Sequence, residues 1–175
     1  MGKIKPPEPA LLFAGTLYTD PEIFNRSKEL LERNFGHILF ESPPLAWDYS
    51  SYYRYELGWP IVRQFLFFKD LVDPGTLADV KIGTNEIEGL FSLDGKRRIN
   101  LDPGYLTLSK IVLASTKNYA HRIYLGKGIY GEITLMYRYK EGTFKPHLFT
   151  YRDYQSESCI DMFLNVREML KRLVS

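Results

Sequence analysis

The sequence predicts an α/β or α+β sandwich. Its mixed sheet opens with the ferredoxin-like order β-α-β-β-α-β and is extended by a third helix, a β-hairpin and a C-terminal helix. Three observations carry this expectation. Short apolar runs alternate with segments of helical period through the first half of the chain. Asp-Pro pairs stand at the start of successive helical segments. Two strand-like runs around a Gly-rich turn then precede an amphipathic C-terminal segment.

Taken in order, "ALLFAGTLY" (10–18) is an apolar run bounded by Pro and Asp, and reads as a buried strand. "DPEIFNRSKELLERNFG" follows with Ile23, Phe24, Ser27, Leu30 and Leu31 on one helical face, and Gly36 closes it. "HILFES" is a strand stopped by Pro43-Pro44. Residues 45–60 hold four Tyr and two Trp among turn formers and read as a long loop with partial strand character. "IVRQFLFFKDL" is a strand, and "DPGTLADVKIGTNEIEGLFS" a helix weakened by Gly83 and Gly89. After a "GKRR" turn and a short "INL" strand, "PGYLTLSKIVLASTKNY" reads as the third helix, with Leu101, Tyr105, Leu108, Val112 and Ser115 near one stripe. "HRIYL" and "IYGEITLMYRYK" form the hairpin, and residues 156–175 the terminal helix.

Asp20, Asp73 and Asp102 are each followed by Pro, and the last two by Pro-Gly. An Asp accepts the orphan amide protons of a first helical turn, and Pro at the first helical position loses an N–H that had no partner. All three therefore read as helix caps, and a capped N-terminus at Asp102 can also hold an anion. In the hairpin, a three-residue Gly-Lys-Gly turn sets Leu125 opposite Ile129 and Arg122 opposite Glu132. That register predicts a cross-strand Arg122–Glu132 ion pair beside Tyr124 and Tyr130.

At 175 residues the chain reads as a single domain over 1–175, with residues 1–9 a flexible Pro-rich lead-in. The net charge of +2 argues against a dedicated nucleic-acid binder, and the basic Lys96-Arg97-Arg98 run reads as a solvated turn. One cysteine, Cys159, excludes an internal disulfide framework and suits the cytoplasm. No apolar run is long enough to cross a membrane as a helix. Gly126-Lys127-Gly128-Ile129-Tyr130-Gly131 matches G-x-G-x-x-G, but a strand follows it where a dinucleotide site needs a helix. Nothing else in the chain marks NAD or P-loop nucleotide binding. The metal-ligating types Asp102, His121, Glu132, His147 and Asp153 lack ligand spacing, so no metal is assigned.

The stretch "NLDPGYLTLSKIVLASTKNYAHRIYLGKGIYGEITL" (100–135), with "SYYRYELG", "LADVKIGTNEIE" and "FTYRDY", resembles an uncharacterised prokaryotic family, Domain of Unknown Function 4416. The similarity spans roughly residues 8 to 173. The resemblance implies a cytoplasmic protein of about this length. It carries no catalytic roles, because the family has no established activity.

Three functions remain open at this level. The first is a binding protein whose Tyr-lined, mixed-charge cleft takes an anionic ligand such as a nucleotide or short RNA, using Tyr105, Lys110, Arg122, Tyr124 and Tyr130. The second is an enzyme on a phosphorylated or nucleotide substrate, with Asp102, His121 and Glu132 as candidate catalytic residues. The third is an interaction module using the Tyr/Trp segment 47–59.

Overall fold

A computed structural model describes residues 2–175. Residues 2–9 carry no regular structure and lie exposed. The strand β1 (Ala10–Tyr18) is buried along its whole length because it is central, with β4 (Ile61–Val72) on one side and β5 (Ile99–Leu106) on the other. A strand covered on both faces reads as a continuous apolar run, as "ALLFAGTLY" does.

The helix α1 (Pro21–Phe35) starts at Asp20, whose side chain accepts from the Glu22 N–H at 2.9 Å. It leads to β2 (Ile38–Glu41), which pairs with β4 rather than with β1. The resulting order β2-β4-β1-β5 is the expected ferredoxin-like one, with β4 inserted between two strands that run the same way. Every strand pair among the described residues is antiparallel, so the α/β architecture is built on an antiparallel sheet rather than the expected mixed one.

Two elements differ from the sequence reading. The aromatic segment 45–60 is not a loop. It forms β3 (Leu45–Trp47), paired with β4, and the short helix α2 (Ser51–Leu57), capped by Ser50 and ended at Gly58, φ 94°. Trp47, Leu57 and Tyr53 fold onto Leu17 and Ile61, so part of the aromatic content is core.

The second difference is larger. After the helix α3 (Leu77–Leu90), which follows a single 3-10 turn capped by Asp73, the expected third helix is two strands. They are β5 and β6 (Lys110–Ser115), joined by a tight turn at Thr107–Ser109. Asp102 therefore caps nothing and lies inside a strand. A stripe of apolar residues at short range fits both periods; here Ile111 and Val112 favour extended backbone, and Pro103-Gly104 and Thr107 weaken a helix.

The sheet continues through β8 (Ile129–Arg138) to the edge strand β7 (Ile123–Gly126), with β9 (Thr143–Lys145) also paired to β8. Ile123 faces Gly131 and Tyr124 faces Tyr130, as the derived register requires. The turn itself is shorter than expected. A bulge at Leu125 sets Gly126 opposite Ile129, and Lys127 (φ 54°) and Gly128 (φ 78°) make the two-residue turn.

Alternation gives the sheet two faces. On one, α1 and α3 cover Leu12, Ala14, Leu66, Phe68 and Leu101. On the other, α4 (Glu157–Val174) presses Phe163 edge-on against Phe13, Phe65 and Phe67 at 5.3 to 5.6 Å. Beside this packing, a cavity lined by α2 (Tyr52, Tyr53, Glu56), β5, β6 and Tyr151 holds the site. Cys159 of α4 is inert by placement: burial, with Asp153 nearby, pushes its thiol up to about 12.

Candidate functional site

The site exists because β5 and β6 part company. The two strands pair only at Gly104↔Leu113, Tyr105↔Val112 and Leu106↔Ile111. Upstream, residues 99–103 keep β1 on one edge but have no strand on the other. The DPG triplet explains the parting. Pro103 presents the β6 side with no N–H, so the ladder cannot extend past it. Gly104 then lets the strands close tightly, since a Cβ there would lie 2.7 Å from Phe13 Cζ and 2.9 Å from Leu113 Cδ2.

A bare strand edge in a protein interior is costly unless its groups find partners. Here α3 reaches into the fork. Glu88 accepts from the Leu101 N–H at 2.5 Å, and Lys81 Nζ donates to the Leu101 carbonyl at 2.9 Å. Lys81 and Glu88 are seven residues apart, two helical turns, and so share a face of α3. Burial pushes the Glu88 carboxyl up, against the pull of Lys81, the Leu101 N–H and Arg97.

From this floor a polar network spreads. Arg97 makes a two-pronged pair with Glu56 of α2, at 2.7 and 2.8 Å, and also donates to Glu88 at 3.1 Å and Asn100 at 2.7 Å. Asn100 passes the chain on to Asp102 at 2.7 Å. So the "KRR" run is not simply a solvated turn; its central Arg ties α2, α3 and β5 together. The Arg97 hydrogen bond holds the Glu56 carboxyl below the ordinary glutamate value.

The opposite wall is the predicted pair. Arg122 donates from Nε to Glu132 at 2.6 Å, and its remaining nitrogens reach Ser115 Oγ, the Lys117 carbonyl and Tyr151 Oη at 2.8 to 2.9 Å. His121 Nε2 meets the same Glu132 oxygen at 2.8 Å. Arg63 lies beneath, donating to Asp153 at 2.6 and 3.0 Å. Its buried Nη1 has no hydrogen-bond partner and stands 3.8 Å from Asp102 Oδ2.

Together these residues enclose a cavity of about 310 Å³, within the range of small-molecule sites. Lys81, Arg97, Lys117 and Arg122 line it with Glu56, Asp102 and Glu132, and Tyr52, Tyr53 and Tyr151 supply aromatic walls. Burial raises the Tyr53 and Tyr151 phenols above their ordinary value, so both remain protonated hydrogen-bonding groups. Most of the charges are already matched. One is not: Lys117 has no ion pair among the described residues. Asp102 lies 3.8 Å from Arg63 and 4.0 Å from Lys81 but accepts a single hydrogen bond, so it keeps acceptor capacity to spare.

Of the residues singled out in the sequence, Asp102, Arg122 and Glu132 converge here, with His121 bonded to Glu132. Tyr105 and Lys110 line a different cavity on the other face of the sheet. Tyr124 and Tyr130 pack on each other at the sheet edge, rings 5.3 Å apart, and line neither cavity. Asp153 is held behind Arg63, and His147 lies with Lys110. Among the described residues, no three His, Cys, Asp or Glu side chains are grouped to hold a metal ion. Sequence reasoning missed Arg63, Lys81, Glu88 and Arg97. For three of them a signal was available: Arg63 falls on the core-facing alternation Ile61, Phe65, Phe67, and Lys81 and Glu88 sit on the apolar side of α3.

The architecture is that of an α/β protein with ferredoxin-like strand order and a charged cavity in a fork of its sheet. The chain belongs to the family described as Domain of unknown function (DUF4416), whose model matches residues 8–170. No curated protein and no solved structure matches it.

Proposed function

We propose that the protein binds a small anionic, hydroxyl-bearing molecule, of nucleotide or sugar-phosphate size, in the forked cavity. One observation carries the reading. On opposite sides of the fork stand an unpaired cation, Lys117, and a carboxylate with acceptor capacity to spare, Asp102, in a tyrosine-walled space of about 310 Å³. Lys117 meets a phosphate, Asp102 accepts from hydroxyls, and Tyr52 or Tyr53 stacks on a ring. A cavity of about 310 Å³ favours a single nucleotide over an RNA strand, which needs a continuous groove. A single buried cysteine, with no second one in the chain to pair with, is in keeping with a cytoplasmic setting. No helix among the described residues is long and apolar enough to cross a membrane.

Thermal unfolding in the presence of nucleoside mono- and diphosphates, sugar phosphates and inorganic phosphate tests the proposal. A ligand at about a hundred times its Kd adds about 2.7 kcal/mol, which raises the midpoint of a chain this long by roughly 5–10 °C. Lys117→Met is expected to abolish that rise while leaving the unliganded midpoint unchanged. Asp102→Asn should weaken hydroxyl-bearing ligands more than inorganic phosphate. If no compound moves the midpoint, the reading fails; if a hit is turned over and Asp102→Asn stops it, the site is catalytic.

A further inference from the structure

A second cavity, of about 420 Å³, lies on the other face of the sheet. Its floor is Val112 and Gly131, both buried, where the sheet runs out from under α3. Ile123, Leu125, Ile133 and Phe149 form its walls and are left open to solvent, Ile123 at 69% and Phe149 at 51% of full exposure. Concave apolar surface of this kind, uncovered by any helix, marks a binding surface rather than ordinary exterior.

The charged and imidazole side chains around it are accounted for, with one exception. His121 stacks flat on Phe149, ring centres 4.4 Å apart, and gives its Nε2 to Glu132. Glu132 is in turn held by Arg122. His147 accepts the Phe149 N–H at Nδ1, at 3.2 Å, so its Nε2 carries the proton and donates to the Ile133 carbonyl. The exception is Lys110, which lines the cavity and has no ion pair among the described residues. An apolar hollow with one uncompensated cation is complementary to an apolar body carrying one anionic head.

We propose that this cavity binds an apolar monocarboxylate, with its chain or ring against Ile123, Ile133 and Val112 and its carboxylate on Lys110. The proposal does not depend on the polar cavity, with which it shares only Glu132 among its lining residues.

The test is displacement of anilinonaphthalene sulfonate, a fluorescent apolar anion, from the intact chain. Decanoate, decanol and decyltrimethylammonium are the competitors. One saturable dye site per chain is expected, displaced by decanoate at least about tenfold better than by decanol, and not by the cation. Lys110→Met should remove that decanoate advantage and leave decanol unchanged. Ile133→Asp should abolish both, and Ile123→Asp, at a more exposed position, repeats the test should Ile133→Asp unfold. Equal competition by decanoate and decanol overturns the proposal. So does an advantage that survives Lys110→Met, or a self-association in sedimentation that occludes the dye site.

Discussion

Gly104→Ala is expected to lower stability by about 3 kcal/mol, seen as a fall of roughly 6–12 °C in the thermal midpoint. The added methyl has no room. It would overlap the Val112 carbonyl oxygen, a backbone atom of the neighbouring strand, and crowd Phe13 and Leu113. A side chain can rotate away from such a contact, but a paired backbone cannot, so β5 and β6 must separate within the three residue pairs of their ladder. Gly89→Ala is the control. Nothing lies within 4 Å of that position, which is helical, so alanine there should add about 0.5–1 kcal/mol. Equal effects from the two substitutions would show that β5 and β6 do not approach as closely as described.

Arg97→Met is expected to cost about 3 kcal/mol at neutral pH, the lower end for breaking a buried charge network from one side. Methionine keeps much of the bulk but leaves Glu56 and Glu88 facing each other without their shared cation. The pH dependence identifies the cause. In the wild type Glu56 is held below 4.5, so its stabilisation is present above that value and lost as pH falls; the variant lacks this contribution. Glu88 already titrates above 4.5, and losing Arg97 raises it further, so its charged form becomes a growing burden as pH rises. Both effects have the same sign. The deficit of Arg97→Met relative to wild type, from denaturant unfolding, should be smaller near pH 4.5 than at pH 8. A deficit that does not change with pH would mean that Arg97 contributes by packing alone.

The first part of the fold was legible because its signals are local. The buried run of β1, the Asp20 cap and the Pro stop after β2 each act within a few residues, and together they fix the ferredoxin-like order. The region 103–119 was misread because its apolar spacing satisfies helix and strand alike, and the deciding fact is the edge offered by β8, which is distant in sequence. The same Asp-Pro-Gly letters cap a turn at Asp73 and end a strand pairing at Pro103, so a motif's meaning here depends on what lies beside it. The Arg122–Glu132 pair was legible from hairpin register alone. Its counterpart around Arg97 was not, because three separate elements must assemble before Glu56, Glu88 and Asn100 meet one guanidinium.

The short seam between β5 and β6 divides the sheet mechanically. On one side lie β2, β4, β1 and β5; on the other lie β6, β8, β7 and β9. Three residue pairs hinge the halves, and α4 clasps them at one end through Phe13 and Phe163 with Leu135 and Phe144. The polar cavity is the gap of this bivalve, with Asp102 and Arg97 on one shell and Ser115, Arg122 and Glu132 on the other. One core runs beneath both halves, so any pivot about the seam that changes the width of that gap also strains the packing of Phe13, Leu113 and Phe163. The proposed ligand, touching Asp102 and Lys117 together, would act as the missing rungs of the ladder, joining by its own bonds two segments that Pro103 keeps apart.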